Sequence, residues 1–210
     1  MKEYPKIETV YNRDITGTKK LIPGNFRNEA VKFLKDLQWV WSEKIDGTNI
    51  RIHWDGHTIT FGGRTDRASI PVDLVNWLND KFKNDETEEL FEQKFGSSEV
   101  TLYGEGYGRK IQNGGLYISD GVSFILFDVL INNIWLERNS VEDIAKTFDI
   151  DAVPIVGTGT IDEAVEYVKT KPMSKIGKAP MEGVVCRTAV GLYDRLGNRI
   201  IVKIKVRDFA

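Results

Sequence analysis

Residues 199–209 read RIIVKIKVRDF, and their alternation is the strictest constraint in the chain. In an extended strand successive side chains point to opposite faces. Ile200, Val202, Ile204 and Val206 therefore share one face, and Ile201, Lys203, Lys205 and Arg207 the other. So regular an apolar row has to lie on a core. The opposite row then carries three cations at two-residue spacing, which repel one another unless something anionic stands opposite. Lysines also guard the edges of lone surface strands. A polyphosphate is the other partner that would satisfy them.

Other segments repeat the strand pattern between turns. Strands are predicted over 49–54 and 57–61 across Asp55-Gly56, where both turn residues are expected at positive φ. Further strands are predicted at 100–107 and 116–119, around a glycine-rich loop, and at 122–130 and 133–137 across Asn132-Asn133. The chain closes with strands at 182–188 and 199–207. Helices are predicted after Pro23-Gly24-Asn25, where Phe26, Ala30, Phe33, Leu34 and Leu37 recur at helical spacing, and over 70–82 and 86–95. Ser140-x-x-Asp143 and Thr160-x-x-Glu163 are capping-box patterns that open two more. Frequent hairpins with few helices predict an α+β fold of mainly antiparallel sheets flanked by helices. No glycine-rich nucleotide-binding turn leads from a strand into a helix, and the G-x-x-x-x-G-K-[ST] phosphate loop is absent.

With 210 residues, 41% of them hydrophobic, the chain can bury a core. No apolar run is long enough to span a bilayer, and MKEYPKIETVYNRD lacks a signal-peptide core. A single cysteine, Cys186, excludes an internal disulfide and a cysteine-rich metal site. A reducing, cytoplasmic setting and no membrane partner are expected. The net charge of −2 excludes a uniformly basic nucleic-acid coat but not a local basic groove. Residues 169–178, KTKPMSKIGK, hold four lysines and no acid. A solvated loop is the reading favoured for this run, and a phosphate-contacting rim the alternative.

Residues 41–54, WSEKIDGTNIRIHW, place Lys44 between Glu43 and Asp46 at a strand edge, ahead of a glycine. A surface salt bridge or a nucleophile would account for it. Glu182-Gly183 opens an apolar strand, and an acid at that edge needs a metal or a lysine partner. Glu105 stands between two glycines, which fits either close approach of a ligand or a tight bend. Phe127-Asp128 at a strand end fits core packing as well as a site.

Taken in order, these are Lys-x-Asp-Gly (44–47), Phe-Gly-Gly-Arg (61–64), Gly-Glu-Gly (104–106), Phe-Asp (127–128), Glu-Gly-Val-Val (182–185) and Lys-x-Lys (203–205). This ordered set resembles that of the covalent nucleotidyltransferases, the polynucleotide ligases and messenger RNA capping enzymes, from about Glu43 to Lys205. Asn49, five residues past the lysine, and the segment 104–117, GEGYGRKIQNGGLY, are similar to the RNA ligase 2-like family. Asp46 stands where that family more often has histidine, and Arg187 where lysine is common.

The resemblance implies the ATP-grasp-like nucleotidyltransferase fold of ligases and capping enzymes, over 1–210 as one adenylylation domain without a C-terminal accessory domain. It implies ATP-dependent joining of RNA 3′-hydroxyl and 5′-phosphate ends through AMP carried covalently on Lys44. Catalytic roles fall to Lys44, Lys203, Lys205 and Arg64. Nucleotide contacts fall to Glu43, Lys44, Asn49, Arg64, Glu105, Phe127, Glu182, Lys203 and Lys205, and metal contacts to Glu182 and Asp46, with Mg2+ or Mn2+ as the ion. Lys203, Lys205 and the metal are expected to repel the ammonium form of Lys44 and so favour the amine. The expected partners are RNA ends in a nicked or prealigned duplex, with room for an accessory protein, and the chain is expected to be a monomer. The rival readings are a DNA ligase core, a GTP-using capping-type transferase and a non-catalytic nucleotide- or RNA-binding module.

Overall fold

The computed structural model describes residues 1–209. In chain order the strands are β1 (Glu8–Thr9), β2 (Tyr11–Arg13), β3 (Leu21–Phe26), β4 (Trp39–Lys44), β5 (Thr48–Trp54), β6 (Ile59–Gly62), β7 (Val100–Gly108), β8 (Val122–Ile131), β9 (Ile134–Trp135), β10 (Asp151–Ala152), β11 (Ile155–Gly159), β12 (Gly183–Thr188) and β13 (Ile201–Lys205). The helices are α1 (Glu29–Leu34), α2 (Val72–Phe82), α3 (Asp85–Phe95), α4 (Arg138–Thr147) and α5 (Ile161–Lys169). The chain forms two compact units, and it passes from one to the other three times.

The first unit comprises Met1–Pro5 and Asp46–Val153. Its sheet runs β10-β8-β7-β5-β6, with β9 beside β8. Every pairing is antiparallel except β10 on β8. Ile50, Ile52 and Trp54 alternate onto a core shared with Leu74 and Leu78 of α2, Phe91 of α3 and Val141 and Ile144 of α4. The reverse face of β5 is covered too, since Arg51 and His53 are buried. The glycines around Glu105 answer to this core. A Cβ on Gly104 would lie 2.2 Å from the Phe124 ring, and one on Gly106 would lie 2.3 Å from Leu74. Neither a bend nor a ligand is needed to explain them.

The second unit comprises Lys6–Ile45 and the chain from Pro154 onward. Its sheet runs β1-β13-β12-β4-β11, and β2 pairs with β3 apart from it. Only β1 on β13 is parallel. Trp39, Trp41, Val184, Cys186, Val202 and Ile204 point to one side, onto Ile161, Ala164, Val165 and Val168 of α5. A full capping box starts α5: Thr160 Oγ1 accepts from the Glu163 amide at 3.2 Å, and Glu163 Oε2 accepts from the Thr160 amide at 2.7 Å. The α+β architecture of mostly antiparallel sheets is therefore observed.

Local expectations fail where side chains outcompete pattern. Phe26 ends β3, and α1 starts later, at the Asn28 cap, whose Oδ1 accepts from Ala30 N at 2.8 Å. Phe33 and Leu37 are then left exposed. Ser140 lies inside α4, which begins at Arg138. The Arg138–Glu142 ion pair at 2.7 Å and the Arg138 bond to the Val153 carbonyl hold that earlier turn. Residues 116–119 are not a strand: Gly114–Leu116 is a 3-10 turn. In the hairpin after β5 only Gly56 takes a positive φ. The Asp55 carboxylate instead caps the His57 and Thr58 amides at 2.9 and 2.8 Å. Asn132 and Asn133 do form the predicted turn, both at positive φ. Arg207 falls in a 3-10 turn beyond β13 and is exposed, so the strand itself carries two of the three expected cations.

Candidate active site

The second unit positions its charged groups through strand register. Lys44 on β4 stands opposite Gly183 on β12, and Gly183 stands opposite Lys205 on β13. One step along, Ser42, Val185 and Lys203 form the next row. These rows lie on the face away from the core, so Lys44, Arg187, Lys203 and Lys205 share one sheet surface. Between Lys44 and Lys205 stands a residue without a side chain. A Cβ on Gly183 would meet the Ile204 carbonyl at 2.0 Å, so β12 and β13 could not close with any other residue there.

Glu182, just before that glycine, fills the gap. Its Oε2 lies 2.7 Å from Lys44 Nζ, and its Oε1 accepts a short hydrogen bond from Lys205. All three side chains are largely buried. Burial pushes the Glu182 carboxyl up, but the charges of Lys44 and Lys205 and the hydrogen bonds from both outweigh it and hold its pKa below the ordinary carboxylate value. The expected bare repulsion between Lys44 and Lys205 is thus not what the fold contains. Two ammonium groups this close and this sheltered need an anion, and Glu182 supplies it.

Glu43 points the other way, into the core face, and is buried. Its Oε2 accepts from the Lys175 amide at 2.8 Å, while its Oε1 has no partner. Its charge, second to burial, raises the pKa of the Tyr167 phenol. Cys186 is no nucleophile: its thiol is fully buried and its pKa is pushed far up.

The first unit carries the other predicted residues. Asp46 Oδ2 accepts from Asn113 Nδ2 at 2.6 Å, and its amide donates to the Tyr117 hydroxyl at 3.1 Å. The segment 104–117 therefore folds back onto the Lys-x-Asp-Gly turn. Asn49 and Glu105 are directly opposed across β5 and β7 and so share a face. Asn49 Oδ1 is buried without a partner, an unused acceptor in that face. Arg64 is exposed, and no ion pair holds it among the described residues. Phe127 sits at the β7–β8 register shift and packs edge-on against Tyr4, with centroids 5.0 Å apart.

Sequence reasoning missed what holds these groups. Arg51 is wholly buried, and donates to the Gly63 carbonyl at 2.7 Å, to Asp66 at 2.8 Å and to the Met1 carbonyl at 3.1 Å. It fixes the loop that presents Arg64. Tyr4 donates to Asp128 at 2.8 Å, and the Tyr103 hydroxyl donates to the Lys2 carbonyl at 2.9 Å. The segment Met1–Pro5 thereby straps the Arg64 loop and the Phe127-Asp128 pair. In the sequence Arg51 is only one polar residue of an alternating strand, and nothing in MKEYP marks a strap.

Among the described residues no three His, Cys, Asp or Glu side chains converge as a metal centre. Glu182 and Asp46 each offer a single carboxylate already bonded within its own unit. That donor set suits magnesium or manganese, which take one or two carboxylates and complete their shells with water and phosphate oxygens.

No curated protein matches the sequence. Solved structures do. A variant of Naegleria gruberi RNA ligase with ATP and Mn is 18% identical at a TM-score of 0.63, over 97% of this chain and 61% of that one. The same ligase with PPi is 20% identical at 0.63, over 98% and 62%. An apo variant is 17% identical at 0.64, over 99% and 63%. The chain thus spans about three-fifths of the length of these ligases, and identities this low speak for the fold alone. The family model described as RNA ligase matches residues 37–205, from β4 through β13, and by that match the chain belongs to the RNA ligase family.

Proposed function

We propose that this chain is an ATP-dependent RNA ligase that joins RNA 3′-hydroxyl and 5′-phosphate ends, with Lys44 as its nucleophile. The observation that carries the reading is the row Lys44–Gly183–Lys205 closed by Glu182. It sets a largely buried lysine on a cationic sheet face, with a carboxylate holding it in place. The bound ATP and Mn in the Naegleria gruberi ligase support the choice of nucleotide and of a divalent ion.

In the first step the neutral Lys44 amine attacks the α-phosphorus of ATP. An N–P bond forms, the bond to the bridging oxygen breaks, pyrophosphate leaves, and the amine gives up its remaining extra proton. A 5′-phosphate oxygen then takes AMP from Lys44, and a 3′-hydroxyl attacks that activated phosphate and releases AMP. A protonated lysine cannot begin this sequence. Glu182 is a poor acceptor for its proton, because its carboxyl is held in the charged form. The Lys44–Glu182 pair must instead be exchanged as the polyphosphate arrives. Lys205 and Lys203 then neutralise phosphate oxygens along the in-line path. Glu182, with Asp46 as second candidate, would hold the divalent ion, which would supply charge neutralisation at the phosphates. Arg64 grips phosphate or ribose oxygens as a fork. Asn49 uses its unpaired Oδ1 on a nucleotide donor, Glu105 accepts from a ribose hydroxyl, and Phe127 stacks on adenine. Glu43 supports the nucleotide site from the rear of β4. The substrate is a nicked or prealigned RNA duplex, the setting is cytoplasmic, and the protein acts as a monomer.

Incubation with α-labelled ATP and magnesium, followed by a denaturing gel, tests this. A covalent label on the wild-type chain that vanishes in Lys44→Ala is expected. No label with ATP, GTP or any other nucleotide overturns the proposal. Sealing of nicked RNA over nicked DNA fixes the strand preference.

A further inference from the structure

The acid-free segment at 169–178 is not a loose loop. Its distal part forms a hairpin at Pro172–Met181. Met173 and Pro180 pair as an antiparallel bridge, Met181 N donates to the Pro172 carbonyl at 2.9 Å, and Ser174 N donates to the Ala179 carbonyl at 2.9 Å. Ser174 Oγ accepts from the Ile176 and Gly177 amides at 3.1 and 2.9 Å and so shapes the tip. The buried Glu43 carboxylate then pins that tip through the Lys175 amide. Two links tie the hairpin to Lys44. Glu43 is its neighbour in the chain, and the hairpin runs through Met181 directly into Glu182, the ion-pair partner of Lys44.

This rigid element holds lysines without partners. Lys169 pairs with Glu166 at 2.6 Å, but Lys171, Lys175 and Lys178 are exposed and make no ion pair among the described residues. Lys171 is the more telling because it follows the end of α5 at φ 53, the left-handed conformation where glycine is unstrained and usual. A lysine there costs stability that glycine would not.

We propose that this hairpin is an RNA-binding surface: Lys171, Lys175 and Lys178 contact phosphates of the strand that flanks the end being joined. The idea rests on the ligase reading and names the element that grips its polynucleotide. An ordered backbone with three unpaired ammonium groups beside the nucleophile's end of β4 meets successive phosphates without first having to fold. Such contacts carry no sequence preference.

The test is binding of a nicked RNA duplex to the whole chain over a range of salt, with the triple variant Lys171→Gly, Lys175→Ala, Lys178→Ala beside wild type. Each phosphate contact contributes about 0.7–0.9 to the slope of log K against log salt, so the variant should lose roughly 2 to 3 from it. Covalent labelling by ATP should be unchanged. The single variant Lys171→Gly should bind RNA less well yet melt no lower than wild type. An unchanged salt slope, or no RNA binding by the wild type, overturns the inference. Absence of a label overturns only the ligase reading, since the binding slope is measured without catalysis.

Discussion

The two units use buried charge in opposite ways. In the second, the sheltered ions share one exchangeable partner: Lys44 and Lys205 converge on a single carboxylate, which a stronger anion would displace. In the first, the buried ion is scaffolding. Arg51 is entirely enclosed and spends its donors on two backbone carbonyls and Asp66, while Arg64, which its loop presents, is left exposed and unpaired. A buried cation fixed by carbonyls cannot exchange partners, whereas one fixed by a shared carboxylate can. The kind of acceptor therefore separates structure from chemistry more clearly than burial does.

The largest effect that would break this contrast is on chemistry. Lys44→Ala should abolish the covalent ATP label while leaving the chain folded, because Lys205 still pairs with Glu182. A label that survives would mean that the second unit's charges are structural after all. Next, Arg51→Met should cost about 3 kcal/mol in urea unfolding, since it strands the buried Gly63 carbonyl and releases the Met1 carbonyl and Asp66. A loss below about 1 kcal/mol would show that water replaces the guanidinium and that Arg51 is no scaffold.

Acid sharpens the comparison further. The folded pKa of Glu182 lies below its ordinary value of 4.5, so its contribution to stability is present above that value and is lost as pH falls through the folded one. Wild type should therefore lose stability below about pH 4.5, and Glu182→Gln should lose less over the same range in acid titrations followed by circular dichroism. The smallest change is at a site that serves neither role. Thr160→Ala removes a helix cap and should cost about 1 kcal/mol, with labelling unaffected.

Much of this was legible in the sequence where the signal is local. The alternation in 199–209 marked the core face of β13, the Thr160 box marked the start of α5, and Asn132-Asn133 marked a turn. The ordered motifs from Lys44 to Lys205 marked the family. What stayed hidden depends on side-chain partners that spacing alone does not reveal. The Ser140 box lost to an Arg138–Glu142 pair one turn earlier. The glycines around Glu105 fitted either close approach of a ligand or a tight bend, yet they make room for Phe124 and Leu74. The cations of this face read as mutually repelling because the acid that reconciles Lys44 with Lys205, Glu182, lies just ahead of the neighbouring strand.

The pairing of β1 with β13 carries a consequence for how the protein is made. Glu8 lies beside Val202, so β1 cannot find its neighbour until synthesis has passed Val202. Every residue of the first unit has emerged by Val153, well before the strand bearing Lys203 and Lys205 exists. Synthesis is vectorial and long-range pairings form slowly, so the sheet around Lys44 is the last to close. A chain cut short before β13 has Lys44 but neither the strand that completes the sheet nor the second ammonium on Glu182. Topology alone therefore keeps the Lys44–Glu182–Lys205 row from forming in unfinished copies.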